Sequence, residues 1–199
     1  MDTLKLTKND FKETEYYYKE YCGKTDVSNY EGNIEIEEGL GYVKFNGWLR
    51  ATGYILAKAG LGIEAGEGIK AGEGIKAGLG IEAGLGIEAG LGIEAGWSIK
   101  AGLGIEAGEG IEAGEGITSG LYISCKLSLN IGLRIFAGVC WWRNINDVEK
   151  TITCGKLEKG KVEYGILKET GLPEQKEVSL KGKEVEVKLD GKTYKAIIQ

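Results

Sequence analysis

Glu64, Glu82, Glu88, Glu94, Glu106 and Glu112 each sit in the same context, Ile-Glu-Ala. Paired carboxylates are what glycoside hydrolysis requires, one as acid and one as base or nucleophile. Here every candidate has the same neighbours, so nothing singles out a pair. The chain contains no histidine, which removes the commonest general base, the usual metal ligand and every Ser-His or Cys-His nucleophile. Its four cysteines, Cys22, Cys125, Cys140 and Cys154, fall in no zinc-ligand spacing and read as free, mostly buried thiols. The many Gly-x-Gly runs belong to a repeat and not to a phosphate-binding turn between strand and helix. The expectation is a protein that is not an enzyme and uses no metal or cofactor.

The element that positions these glutamates is the repeat. From Ile63 to Ile117 every sixth residue is isoleucine, in a unit that reads Ile-Glu/Lys-Ala-Gly-x-Gly. A helix needs apolar residues every 3.6 positions, and its glycines would cost about 1 kcal/mol apiece relative to alanine. On an extended chain the first, third and fifth residues of a six-residue unit point one way and the rest the other. The inward set is then Ile, Ala and x. Carboxylates at x, such as Glu67 and Glu109, must reach water, so the fifth position belongs near a corner. Short strands bent at glycine and stacked coil on coil predict an all-β fold, a parallel β-helix solenoid. Three faces with eighteen residues per coil are preferred; a flattened form with twelve is the competitor. The first pairs Lys70 with Glu88 and Glu82 with Lys100, the second Glu64 with Lys76 and Lys70 with Glu82.

The rhythm extends, less regularly, over residues 43–143, enough for a little over five coils and a rod of about 25 Å. Two extra residues between Ile55 and Ile63 call for a bulge near Lys58 to Gly60. Residues 1–42 read as an N-terminal cap, with Thr7 starting a helix over 8–21 and the aromatics covering the open first coil. Trp141 and Trp142 are expected to plug the last coil. Residues 144–199 read as a small antiparallel sheet, with strands over 161–167, 177–180, 185–189 and 193–198 and turns at 180–183 and 190–191.

Runs such as Ala-Gly-Leu-Gly-Ile-Glu and Ala-Gly-Trp-Ser-Ile-Lys resemble the hexapeptide-type repeats of bacterial and phage proteins, and more loosely the bactofilin-like polymer-forming proteins. The resemblance covers about residues 43–139 and implies the solenoid fold.

The net charge is −5, with no clustered Lys and Arg, which argues against direct binding of nucleic acid or an anionic membrane. No secretory or membrane-spanning stretch is visible near the start, and the expected location is the cytoplasm. What remains is a surface for a protein partner. Outward-facing Trp48 and Tyr54, the fifth-position Trp97 and the six glutamates named above form the expected contact set. The most specific reading is a phage or mobile-element inhibitor of a host defence nuclease, of the anti-CRISPR kind. It would occlude or mimic a nucleic-acid site on a nucleic-acid-binding effector. The alternative is a self-associating structural protein, forming homodimers or filaments.

Overall fold

Isoleucine and alanine, two residues apart, project to the same side of a three-residue strand, and Ile63 through Ile117 are each no more than 1% exposed. Each regular hexad folds as a strand and a corner, as in Ile69–Ala71, Ile75–Ala77 and Ile81–Ala83. In the computed structural model, which describes residues 1–173, 184–189 and 192–197, the chain returns above its starting point after three hexads. Ile75 pairs in parallel with Ile93, Ile81 with Ile99 and Ile87 with Ile105. The coil therefore has three faces and a period of about 18 residues, and the twelve-residue competitor is excluded. Lys70 meets Glu88 at 2.7 Å and Lys100 meets Glu82 at 3.9 Å, the pairs that this stacking requires. Such exposed ion pairs are worth at most about 1 kcal/mol each, so burial of isoleucine and alanine carries the fold.

The first face stacks Thr3–Leu6, Asn33–Ile36, Ile55–Ala57, Ile75–Ala77, Ile93–Ala95, Ile111–Ala113 and the first half of Ser128–Ala137. The second stacks Tyr18–Tyr21, Tyr42–Phe45, Gly62–Ala65, Ile81–Ala83, Ile99–Ala101, Ile117–Ser119 and the second half of Ser128–Ala137. The third stacks Leu49–Ala51, Ile69–Ala71, Ile87–Ala89, Ile105–Ala107, Ile123–Cys125, Thr151–Cys154 and Ile166–Glu169.

The solenoid makes about 8 turns, a stack of about 40 Å at the usual strand spacing. It outruns the rhythmic stretch at both ends. In place of a helix over 8–21, Thr7 caps a single 3-10 turn, Lys8–Asp10, followed by the strands Phe11–Glu13 and Tyr18–Tyr21. Consecutive tyrosines favour strand over helix, and the second strand finds a parallel partner in Tyr42–Phe45. Phe11 and Tyr21 pack on Phe45 with ring centroids 5.9 and 5.2 Å away, while Tyr16 and Tyr17 stay exposed. At the other end Trp141 and Trp142 plug nothing. Trp141 is 89% exposed, and parallel strands Thr151–Cys154, Lys156–Tyr164 and Ile166–Glu169 stack beyond them. The expected antiparallel sheet shrinks accordingly to Glu184–Leu189 against Lys192–Ile197. The strand expected over 177–180 and the turns at 180–183 and 190–191 lie outside the described residues. The insertion at Lys58 to Gly60 is an exposed turn with Gly60 at φ 75°.

Among the cysteines, Cys125 and Cys154 are buried, Cys140 is partly covered and Cys22 is exposed. A thiol reagent at neutral pH should label Cys22 at once and Cys125 and Cys154 only in denaturant, a result that mass spectrometry of the labelled protein would check. Rapid labelling of all four in the native state would contradict the stacking of Cys154 above Cys125.

Candidate binding surface on the third face

Two glycines in each hexad have different reasons to be there. At the fourth position the corner runs directly over the corner below: a methyl added to Gly90 would lie 2.0 Å from the Gly72 carbonyl oxygen, and one on Gly108 1.9 Å from that of Gly90. At the sixth position the backbone approach is looser, the same methyl on Gly86 or Gly92 standing 3.3 or 3.4 Å from its nearest neighbour, and the tight contacts at Gly62, Gly68 and Gly104 are with the aromatic rings of Tyr42, Trp48 and Tyr122. The lack of side chains at these glycines leaves a gutter running up each face. Its walls are the second-position column of Glu and Lys and the fifth-position residues at the corner.

Those fifth-position residues stand at the corners, as their carboxylates require. Ile and Ala fill the core of the regular coils; at the fifth position Glu67, Glu73, Glu109 and Glu115 are exposed, as are Leu85, Leu91 and Trp97, while Leu79, Leu103 and Leu121 are half-buried and Leu61 is fully buried. The corner turn rotates the fifth residue out of the strand plane that the even spacing assumed.

Each gutter is closed at its N-terminal end by an aromatic in the sixth position: Tyr54 on the first face, Tyr42 on the second, Trp48 on the third. The expected contact residues are thus dispersed. Tyr54, Glu94 and Glu112 line the first face, where the Tyr54 hydroxyl donates to Glu35 at 2.7 Å. Glu64 and Glu82 lie on the second, each paired with a lysine, Glu64 to Lys44 at 2.7 Å. Trp97 stands alone on the corner between these faces, 49% exposed. Trp48, Glu88 and Glu106 come together on the third. No single acidic face exists, because successive hexads turn to successive sides.

The third face differs from the others in carrying two aromatic rings, Trp48 and Tyr122, on one recess with leucines and charged groups. The Trp48 ring lies over Gly68, whose added methyl would fall 2.1 Å from it, and the Arg50 guanidinium stacks 3.7 Å from its centroid. Four coils on, Tyr122 occupies the same position and lies over Gly104 in the same manner. Between the rings is a recess of about 390 Å³, floored by Gly86. Leu85, Leu103 and Leu121 form one wall and Lys70, Glu88 and Glu106 the other. Burial, then Glu106 and Glu88, push the Tyr122 hydroxyl above its ordinary pKa.

Comparison with known protein families, curated proteins and solved structures finds no match.

The leucine wall continues upward into an apolar ridge. At this corner the chain departs from the coil between Ser128–Ala137 and Thr151–Cys154, and the excursion sets Trp142 within 2.9 Å of the place a Gly120 side chain would take. Trp141 meets Trp142 edge to face with centroids 6.0 Å apart. The excursion is tied internally by Arg143 to Glu149 and by Lys150 to Asp147 at 2.9 Å. Leu85, Leu103, Leu121, Tyr122 and the two tryptophans were absent from the expected contact set. Their signal was present: Tyr122 repeats the sixth-position aromatic of Trp48, and the leucines recur eighteen residues apart at the fifth position.

Among the described residues no three or more Cys, Asp and Glu gather as a metal site would require. No helix among them is long and apolar enough to cross a membrane.

Proposed function

We propose that the protein is a non-catalytic scaffold that grips a protein partner with its third face and the adjoining corner. The observation that carries this reading is the line of apolar groups from exposed Leu85 through half-buried Leu103 and Leu121 to Trp142 and Trp141, beside the Trp48–Tyr122 recess. Exposed apolar bands rimmed by charge mark interaction surfaces, and tryptophan and tyrosine are favoured anchors there. Its most specific form is an inhibitor of a host defence nuclease, carried by a phage or mobile element and acting in the cytoplasm. The hexapeptide-type repeat of bacterial and phage proteins motivates that setting. The glutamates are divided among three faces and interleaved with lysines, which favours steric occlusion over mimicry of nucleic acid.

The solenoid supplies its own silent variant. Glutamate already occupies the fifth position at Glu67, Glu73, Glu109 and Glu115, so Leu85→Glu with Leu103→Glu should fold normally while placing two charges on the ridge. The unaltered chain is expected to retain an effector nuclease on an affinity column and to block its cleavage of target DNA, and the double variant to do neither. Equal retention by both proteins, or cleavage unaffected by either, would remove this reading. A second reading, end-to-end self-association, draws on Thr3–Leu6, the outermost strand of the first face among the described residues. Sedimentation would then show species that grow with concentration.

A further inference from the structure

We infer that the recess between Trp48 and Tyr122 receives one arginine side chain presented by the protein partner, an assignment that rests on the scaffold reading above.

The two rings lean toward each other along the gutter, Trp48 over Gly68 and Tyr122 over Gly104. The glycines beneath them lie two coils apart, about 10 Å at the usual strand spacing. Gly86 is the floor between them. A methyl there would stand 3.3 Å from the Gly104 carbonyl oxygen, a tight contact but far looser than the 2.0 Å approach at Gly90. The opening suits one long side chain and is too short for a stretch of backbone to lie lengthwise between the rings.

The walls select the chemistry of that side chain. Leu85 and Leu103 on the corner side offer apolar surface to a methylene stem. Opposite them, Glu88 is already engaged by Lys70 at 2.7 Å. Glu106 has no cation within ion-pair distance among the described residues, and it stands at the Tyr122 end, where its charge helps raise the Tyr122 pKa. A carboxylate beside an aromatic ring, with an aliphatic wall across from it, complements a guanidinium better than an ammonium. The planar head can stack on the ring and meet both carboxylate oxygens at once. The chain already uses the same contact internally, with Arg50 on Trp48. Arg50 and Lys70 crowd the Trp48 end with positive charge, which directs an incoming cation to the Tyr122 end.

The test uses the full chain, labelled with ¹⁵N, titrated with the blocked tripeptide Leu-Arg-Leu and with its neutral isostere, Leu-citrulline-Leu. The arginine peptide is expected to shift the Gly68, Gly86 and Gly104 amides and the Trp48 indole saturably. The citrulline peptide should bind about fivefold more weakly or worse, and Glu106→Gln should weaken the arginine peptide by a similar factor. Gly86→Val, which fills the floor, should abolish the shifts while leaving the circular dichroism spectrum unchanged. Equal binding of the two peptides, an unaltered Glu106→Gln, shifts centred elsewhere, or no saturable binding would each overturn the assignment. These outcomes are separable from failure of the scaffold reading: loss of effector retention in the ridge variant alongside equal peptide binding discards only the arginine. Peptide binding without any effect of the ridge variant discards only the scaffold.

Discussion

Replacing Gly90 by alanine is expected to destabilise the solenoid by about 2–4 kcal/mol, whereas the same change at Gly92, two residues along, should be neutral or stabilising by up to about 1 kcal/mol. Both are glycines of the same hexad, both lack a positive φ, and both lie in the corner rather than the strand. They differ in what lies beneath them. The methyl of alanine at position 90 would fall 2.0 Å from the Gly72 carbonyl oxygen and 2.9 Å from its carbon, both backbone atoms that cannot swing aside. At position 92 the nearest atom is the Gly110 oxygen at 3.4 Å, an ordinary contact, and alanine narrows the unfolded ensemble. The chain indicates how it would relieve the clash. In the regular coils the fourth-position amide donates to the third-position carbonyl of the coil below, as Gly90 does to Ala71 and Gly108 to Ala89, at 3.0 and 2.9 Å. Lys126 occupies a fourth position, and its amide makes no such backbone hydrogen bond to Ala107. Thermal unfolding followed by circular dichroism should place the Gly90→Ala midpoint about 5–10 °C below that of Gly92→Ala. Midpoints within a degree or two of each other would mean that the corners are not stacked as tightly as the spacing requires.

The division of labour between these glycines bears on how far the amino-acid order discloses the molecule. An even-numbered beat of Ile and Ala is enough to give strands with a buried side, and the Lys70–Glu88 and Glu82–Lys100 pairs were enough to pose three faces against two. Both follow from alternation along a strand and from charge, which act locally. The alternation of Ile34 and Ile36 suggests the strand Asn33–Ile36, but the coil positions of Thr3–Leu6 and Ile166–Glu169 were not legible, since they carry no glycine repeat and owe their place to the stacking edge offered by their neighbours. The contact surface was legible only in part for a geometric reason. Trp48 and Tyr54 are six residues apart and read as neighbours, yet six residues is one third of a coil, so they face different sides. Trp48 and Tyr122, far apart in sequence, share a recess because they differ by four coils. Carboxylates that must reach water place the fifth position near a corner, but alternation along a strand gives no sign that Leu85 lies exposed in line with Trp142 and Trp141.

The second large effect concerns alkaline pH. Cys125 occupies a third position in the column of Ala71, Ala89 and Ala107, pointing into the core, with Cys154 stacked on it in the next coil. Burial, and then the nearness of Cys154, push the Cys125 thiol up to about 12 from an ordinary value of 9.0. Burial, with Glu169 behind it, moves Cys154 in the same direction. The folded state thus favours the neutral thiol. Its contribution is whole below pH 9, where the unfolded thiol is also protonated, and it drains away as pH climbs toward 12, where only the unfolded chain readily ionises. Each pH unit in that window removes about 1.4 kcal/mol. Cys125→Ala installs the residue that the repeat uses at this position and removes the titrating group. Urea unfolding at pH 9 and pH 11 should therefore show the unaltered chain losing about 2–3 kcal/mol more than the variant. Tyr17, Tyr21, Tyr54 and Tyr122 also have raised values and weaken the fold in the same direction, but they are common to both proteins and cancel in the comparison. Parallel stability curves for the two proteins across this range would show that the thiol reaches water and that the column is not closed above Ala107.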